Sequence, residues 1–212
     1  MKRVRIPAML VDLVMSALTS VDGAVFMHLE ACPYCGGRIL GHDIRKKRFA
    51  TIIEDGDHRN IYVLVKRFHC TECGRLCYAD APFYPDTRLA SPIVDFCRLQ
   101  SATMPYHRVA RVLEAMGIVI DRGTVRNYAA LDVGDIPYTE LFGIRMPLSL
   151  LNLSVSAVSR GKGGTIEGAE ALAACGFPSA RRAASGSRPP SKERDQRNKE
   201  KEKEERNIQQ QH

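Results

Sequence analysis

Four of the seven cysteines form two Cys-x-x-Cys pairs, Cys32 with Cys35 and Cys70 with Cys73. A two-residue spacer lets both sulfurs of a pair bind one ion, and a glycine follows each pair, where the backbone has to turn toward the sulfur. Four thiolates are soft ligands that favour Zn²⁺, and a closed site of this kind is structural because no position is left for a reacting water. The sequence therefore predicts one structural zinc ion bound by these four cysteines.

The other cysteines and one histidine are either alternative ligands or ordinary core and surface residues. Cys77 lies four positions after the second pair and His69 directly precedes that pair, so either could replace a ligand in a distorted site. A closed four-cysteine site leaves them nothing to bind, which favours a small buried side chain for Cys77 and a surface base for His69. Cys97 and Cys175 lie in apolar helical patterns and are predicted to be core residues. A redox role for one Cys-x-x-Cys pair is the alternative to metal binding.

A β-hairpin is predicted between the two cysteine pairs. The 34 residues that separate the pairs contain two β-like runs, residues 45–53 and 60–68. Asp55-Gly56 lies between these runs and is a dipeptide typical of two-residue hairpin turns. Residues 28–80 are therefore predicted to form a zinc ribbon, a hairpin with a cysteine pair at each end.

Three short helices are predicted in residues 88–133. Ser91-Pro92 supplies an N-cap and a first-turn proline for the first helix. The second helix has apolar residues at helical spacing and ends at Gly117, where a left-handed residue is expected. Asp121 is predicted to cap the third helix, which runs to about residue 131. This order of elements is that of a helix-turn-helix unit.

The helical unit is basic, with five arginines and two acidic residues between positions 96 and 130. Polar residues of the third helix face away from Val125 and Tyr128, on the side where a recognition helix meets base edges in the major groove. Arginine can bind guanine and asparagine can bind adenine through paired hydrogen bonds, and basic side chains also contact phosphates. The candidate DNA-binding residues are Arg122, Thr124, Arg126 and Asn127 on the third helix, Arg108 and Arg111 on the second, and Lys46, Lys47, Lys66 and Arg67 on the hairpin.

The flanking segments are assigned from pattern and composition, and the whole chain is predicted to be α+β. Residues 1–27 contain an amphipathic helix. Residues 134–180 are predicted to be a small, weakly structured region of unknown role, with a strand where Leu151, Leu153 and Val155 alternate with polar residues and a short helix over 165–175. Residues 181–212 are almost entirely charged or polar and are predicted to be a disordered tail.

Several of these motifs resemble those of a known family. They are Cys32-Pro-Tyr-Cys35-Gly, Val65-Lys-Arg-Phe-His-Cys70-Thr-Glu-Cys73-Gly-Arg, Tyr106-His-Arg-Val-Ala-Arg-Val-Leu-Glu-Ala-Met-Gly117-Ile and Thr124-Val-Arg-Asn-Tyr128. Together they resemble the amino-terminal DNA-recognition region of prokaryotic insertion-sequence transposases. The resemblance covers residues 30–131 and implies a zinc ribbon followed by a helix-turn-helix that binds the terminal repeats of a mobile element. The connector 117–120 is longer than the tightest turns of this motif.

Catalysis is not expected, although the resemblance implies that a catalytic domain follows this region in the family. Such transposases cut DNA with three carboxylates that hold two metal ions. Only 49 residues, 132–180, separate the third helix from the tail. Their acidic residues fall before or after the one convincing strand, and no aspartate lies at its end. The acidic residues are Asp132, Asp135, Glu140, Glu167 and Glu170. We therefore expect a sequence-specific DNA-binding protein without catalytic residues.

Charge and hydropathy limit the classes of partner and of cellular location that fit this protein. The net charge of +7 favours an anionic partner without identifying it, and double-stranded DNA is the partner expected from the helix-turn-helix unit. The longest run without a charged residue, 146–159, is too short to span a membrane, and the odd number of cysteines favours a reducing, cytoplasmic location. The alternatives are a zinc-ribbon protein-interaction module or transcription regulator, and a divergent transposase or nuclease. The sequence does not distinguish a monomer from a homodimer.

Overall fold

The computed structural model describes residues 6–161 and 163–176, and the fold is α+β. The predicted charged tail, residues 181–212, lies outside the described residues. In chain order the elements are α1 (Ala8–Ser20), β1 (Val25–Phe26), β2 (Ile39–Glu54), β3 (Asp57–Cys70), β4 (Leu76–Tyr78), α2 (Ser91–Ser101), α3 (Tyr106–Ala115), α4 (Arg122–Ala129), β5 (Tyr138–Leu141), β6 (Ile144–Pro147), α5 (Leu148–Ser159) and α6 (Gly168–Ala174).

Strands β2 and β3 form the predicted hairpin, and they are longer than the sequence indicated. Their antiparallel pairing runs from Ile39 opposite Cys70 to the turn at Asp55-Gly56. Both turn residues have positive φ, 53° at Asp55 and 89° at Gly56, which is the geometry that this dipeptide favours. Strand β1 pairs with β3 in parallel and β4 pairs with it antiparallel. The antiparallel pairing of β2 with β3 thus reaches Cys70 at the open end of the hairpin, where the cysteine pairs lie.

The free edge of β2 is bonded to the helical part of the chain. Ile52 forms an isolated β-bridge with Ile118, which lies in the connector between α3 and α4. The N–H of Ile53 donates to the carbonyl of Gly117 at 2.8 Å, and the carbonyl of Phe49 accepts from the residue that precedes α2. The connector and the start of α2 are thus fixed to the hairpin.

Helices α2, α3 and α4 occupy the three predicted helical segments, with one difference at the start of α2. Ser91 was predicted to be the N-cap, but Ala90 occupies that position and Ser91 is already helical and buried. Gly117 follows the C-cap residue Met116 of α3 and has a φ of +82°, as the sequence predicted. The side chain of Asp121 caps α4, where it accepts a hydrogen bond from the N–H of Thr124 at 2.8 Å.

The prediction of a weakly structured region at 134–180 is wrong for residues 138–174. They form the β5–β6 hairpin and helices α5 and α6. The predicted strand through Leu151, Leu153 and Val155 is part of helix α5, whose buried residues include Leu150, Leu153, Ser154 and Ala157 at helical spacing. The hydroxyl of Ser154 donates to the carbonyl of Leu150 at 2.9 Å, so the alternating serines are accommodated within the helix. The short helix predicted at 165–175 is confirmed as α6.

Most buried apolar side chains of the described chain, from α1 to α6, belong to one contiguous core. Cys32, Cys70 and Cys77 form a separate small cluster at the open end of the hairpin. Helix α1 packs against α5, and the N–H of Ile166 donates to the carbonyl of Ser20 at 2.7 Å. The hairpin contributes Phe49 and Ile61, which are fully buried. The two ends of the described chain therefore pack together. Within this part of the chain, no helix is long and apolar enough to cross a membrane.

Replacing Gly117 with alanine is expected to lower the free energy of unfolding by more than the same change at Gly23. Both glycines have positive φ, +82° and +80°, a conformation that costs an L-residue about 1–2 kcal/mol. Only at Gly117 does the added Cβ meet a side chain, because it would lie 2.6 Å from the sulfur of Met15. Urea unfolding followed by circular dichroism measures both changes. Equal losses at the two positions would contradict the contact with Met15.

Candidate metal centre and candidate nucleic-acid interface

Four cysteines come together at the open end of the hairpin. The sulfur atoms of Cys32, Cys35, Cys70 and Cys73 all lie within 4.8 Å of one another. The Cys32 sulfur is 3.7 Å from that of Cys73, and the Cys35 sulfur is 3.5 Å from that of Cys70. Four sulfurs bound tetrahedrally to zinc at about 2.3 Å lie about 3.8 Å from one another. The cluster therefore has the size and the donor atoms to hold a metal ion.

Each cysteine pair lies in a backbone turn of the same type. The N–H of Gly36 donates to the carbonyl of Cys32 at 2.8 Å, and the N–H of Gly74 donates to the carbonyl of Cys70 at 3.1 Å. Gly36 and Gly74 have φ values of +74° and +69°, which side-chain-bearing residues rarely adopt. The glycine after each pair is thus required by the turn that brings the sulfurs together.

Hydrogen bonds also hold the second pair against the segment that leaves the first pair. The N–H of Thr71 donates to the carbonyl of Arg38 at 3.0 Å, and the N–H of Arg38 donates to Glu72 Oε1 at 3.2 Å. Ile39 then pairs with Cys70 at the start of the β2–β3 ladder. The positions of the four sulfurs therefore depend on the register of the hairpin.

At these distances, ionisation of one thiol opposes ionisation of its neighbours. Burial opposes ionisation of Cys32, but hydrogen bonds from the backbone N–H groups of Tyr34 and Cys35 outweigh it and lower the pKa of this thiol to about 6. At Cys35 the N–H of Gly37 favours the thiolate, but hydrogen bonding with Cys70 raises the pKa to about 12. A cation bound at the centre would stabilise all four thiolates together.

Cys77 is a fifth thiol beside this cluster. Its sulfur is 3.6 Å from that of Cys32, but it does not belong to the group whose sulfurs all lie within 4.8 Å of one another. Cys77 is buried, and burial raises the pKa of its thiol to about 12. His69, the other alternative ligand, is exposed on β3. Cys97 and Cys175 are buried, as the sequence predicted.

Helix α4 presents basic and amide side chains to solvent. Arg122, Arg126 and Asn127 are exposed, whereas Val125 and Tyr128 are buried. The exposed residues lie in the first and last turns of a helix of eight residues, so they share one short surface. This is the surface that the sequence predicted to be polar.

Thr124 is the one candidate contact on α4 that is bonded within the helix cap. Its hydroxyl donates to Asp121 Oδ2 at 2.5 Å, in addition to the backbone bond from its N–H to Oδ1. The hydrogen bonds from Thr124 lower the pKa of the Asp121 carboxyl. Thr124 therefore helps to start the helix and is less available to a ligand than its neighbours.

Helix α3 adds two further exposed arginines, Arg108 and Arg111. In residues 6–161 and 163–176, neither of them forms an ion pair, and the same is true of Arg122 and Arg126. Arg98 differs, because its guanidinium donates to the carbonyl of Ala129 at 2.7 Å and so joins α2 to the end of α4. The four unpaired arginines are available to an anionic partner.

The basic residues of the hairpin lie on different faces. Residues opposite each other in an antiparallel pair share a face, and Lys46 is opposite Leu64. Lys66 is two residues along from Leu64 and lies on the same face. The other face of β3 carries the buried residues Val63 and Val65. Lys46 and Lys66 therefore lie on the side of the hairpin that faces away from the core.

Lys47 and Arg67 have contacts within the fold. The Lys47 ammonium lies 4.0 Å from the centroid of the Phe83 ring. The Arg67 guanidinium donates to both carboxylate oxygens of Asp43, and only 13% of its side chain is exposed. This hydrogen-bonded ion pair lowers the pKa of Asp43. Arg67 is thus less available for phosphate contacts than Lys46 and Lys66. Lys47 lies on the other face of β2, opposite the buried residue Val63.

Arg48 is an exposed basic residue that the sequence analysis did not select. It is opposite Tyr62, whose ring centroid lies 4.2 Å from the Lys46 ammonium. Arg48 is two residues from Lys46 on β2 and therefore extends the outward basic face of the hairpin. The signal in the sequence was the spacing of Lys46 and Arg48, since residues two apart on a strand share a face.

In the described part of the chain, the four cysteines are the only group of His, Cys, Asp or Glu side chains close enough together to hold a metal ion. The described acidic residues after α4 do not form such a group. Asp132, Asp135 and Glu140 are exposed. Glu170 forms an ion pair with Arg160 at 2.5 Å.

Comparison with known proteins finds no family model, no curated protein and no solved structure that matches this chain. Function is therefore inferred from the cysteine cluster, from α4 and from the basic face of the hairpin.

Proposed function

We propose that this protein is a zinc-containing, non-catalytic protein that binds double-stranded DNA sequence-specifically, with a role like that of the recognition module of an insertion-sequence transposase. The observation that carries the proposal is the exposed set Arg122, Arg126 and Asn127 on α4. The preceding connector is fixed by β2, so this helix has a defined position relative to the basic hairpin.

Zinc is the metal that best fits the cysteine cluster. Four sulfur donors select a soft or borderline ion, and sulfur separations of 3.5 and 3.7 Å match a tetrahedral site. Because four thiolates fill the coordination sphere, the ion holds the open end of the hairpin together and does not activate water. In this proposal the cluster is a zinc ribbon.

Helix α4 is proposed to read bases in the major groove as the recognition helix of a helix-turn-helix. Arg126 can donate two hydrogen bonds to guanine, and Asn127 can exchange two with adenine. Arg108 and Arg111 on α3 have no ion-pair partner in the described residues and are proposed to bind the phosphates beside the groove. These roles require α3 and α4 to face the same duplex.

The outward face of the hairpin is proposed to extend the phosphate contacts. Lys46, Arg48 and Lys66 lie on this face. Contacts to phosphate carry no sequence information but supply much of the affinity through the release of counterions. The hairpin thus contributes binding strength, whereas α4 contributes specificity.

Removing two of these charges is expected to weaken the salt dependence of DNA binding. In the double variant Lys46→Ala, Lys66→Ala, the slope of log K against log salt concentration should fall in magnitude by about 2, since each phosphate contact contributes about 0.9. Fluorescence anisotropy with a duplex of random sequence, titrated at several KCl concentrations, measures the slope. Lys47→Ala is the control and should change the slope by less than half as much, because Lys47 lies on the other face of β2, opposite the buried residue Val63. A parent protein whose DNA affinity does not change with salt would contradict the proposal.

A second candidate function is docking on another protein through the open end of the hairpin. Leu40, His69 and Leu76 lie side by side across β2, β3 and β4, and Leu40 and Leu76 are 49% and 41% exposed. Two exposed leucines on either side of a histidine form a small surface patch, and exposed apolar patches mark protein contacts. This function predicts no salt-dependent affinity for DNA, so the same titration distinguishes the two candidates.

A further inference from the structure

A cavity of about 280 Å³ lies between α2, α5 and the segment that joins α4 to β5. Its polar lining consists of Tyr84, Asp95, Asp135, Ser149 and Asn152. The described lining contains no lysine, arginine or histidine, although the chain as a whole has a net charge of +7. Among the described residues, the titratable side chains of known charge sign that line the cavity are therefore acidic, whereas the net charge of the chain is positive.

Asp95 on α2 is the most unusual residue of this cavity. Its side chain is buried, its Oδ1 accepts a hydrogen bond from the Tyr84 hydroxyl at 2.6 Å, and its Oδ2 accepts one from the Ser149 hydroxyl at 2.7 Å. No cationic group pairs with it in the described residues. A buried carboxylate without a counter-ion is costly, and burial raises its pKa. Within the described part of the chain, Asp95 is thus held by two hydroxyl groups and by no positively charged side chain.

The rest of the lining fits a ligand with a charged end and an alkyl part. Asp135 is a second carboxylate and is exposed, as is the amide of Asn152. Apolar wall is supplied by Val133, Ile136, Pro137 and Leu148. A volume of 280 Å³ lies just below the roughly 300–1,000 Å³ typical of pockets for drug-sized ligands. A small molecule therefore fits best.

We propose that this cavity binds a small organic cation, a primary amine or a guanidinium on a short alkyl chain, with its charged group between Asp95 and Asp135. Hydrogen bonds between a cation and a carboxylate are stronger than those between neutral groups, and the apolar wall accommodates the alkyl chain. The proposal does not depend on DNA binding and is tested without DNA.

The test is isothermal titration of the full chain with agmatine and with putrescine, at matched ionic strength. Saturable binding of one molecule per chain is expected. Asp95→Asn and Asp135→Asn should each weaken it about tenfold or more, because each removes one carboxylate that faces the cation. Glu140→Gln is the matched control, since it removes an exposed acidic charge on β5 outside the cavity lining and should leave the affinity unchanged.

The exposed position of Asp135 keeps the test decisive if Asp95→Asn does not fold. The proposal is overturned if neither amine binds saturably, or if binding persists unchanged in Asp135→Asn. It is also overturned if glutamate or calcium chloride alone binds as tightly as the amines. Because none of these titrations contains DNA, failure here leaves the proposed DNA-binding function unaffected, and the reverse also holds.

Discussion

Replacing Cys70 with serine is expected to abolish metal binding and to unfold the open end of the β2–β3 hairpin. Cys70 is fully buried and its sulfur is 3.5 Å from that of Cys35. Structural zinc sites contribute roughly 10–16 kcal/mol of folding free energy in small peptides. The turn end of the hairpin should stay folded, because Ile52 and Ile61 are buried in the common core. Native mass spectrometry measures the metal content, and hydrogen exchange locates the unfolded residues, which we expect at 30–44 and 66–78.

Cys77→Ala is the matched control for Cys70→Ser. Cys77 is buried beside Cys32 but lies outside the group of four sulfurs, so the variant should keep one zinc ion per chain. Loss of zinc from Cys77→Ala would show that this thiol is a ligand. Parent protein that is folded and metal-free would contradict the zinc site itself.

Arg126→Ala and Asn127→Ala are each expected to cost about 1–3 kcal/mol of binding free energy on a preferred DNA site, and to relax its sequence preference. Both side chains are exposed on α4, so their removal should leave the fold intact. Competition binding with specific and unspecific duplexes measures the loss on each. The loss should fall mainly on the specific duplex, because a contact with a base edge matters only where the correct base is present.

Arg160→Ala is the charge-matched control for Arg126→Ala. Arg160 follows α5 and forms an exposed ion pair with Glu170, so its removal changes the net charge without changing α4. Exposed pairs of this kind contribute little to stability. Equal losses of affinity for Arg126→Ala and Arg160→Ala would show that α4 contributes only general positive charge.

Features fixed by short-range chemistry could be predicted from the sequence. The turn at Asp55-Gly56, the left-handed residue Gly117 and the cap of α4 by Asp121 each depend on one or two neighbouring residues. The convergence of the cysteine pairs followed from their spacing, because any hairpin between them brings its ends together. Local rules therefore predicted the candidate metal centre well.

Features that depend on distant parts of the chain could not be predicted. The bridge between Ile52 and Ile118 joins residues far apart in sequence, and it fixes the position of α4. The pairing of β2 with β3 shifts by one residue between Arg48 and Ala50. Which of Lys46 and Lys47 faces the core therefore depends on this shift, which the sequence pattern does not indicate. The sequence of α5 fits both a strand, because apolar and polar residues alternate, and a helix, because apolar residues recur at helical spacing. Packing against α1 favours the helix.

Selection of duplexes from a random-sequence pool, carried out in parallel with the parent protein and with Asn127→Ala, tests sequence-specific DNA binding most directly. We predict that the parent enriches a single motif and that Asn127→Ala loses its preference for adenine at one position of that motif, while the other positions are retained. Enrichment of no motif by the zinc-loaded parent would contradict sequence-specific binding. Enrichment of the identical motif by both proteins would show that Asn127 on α4 does not read the DNA.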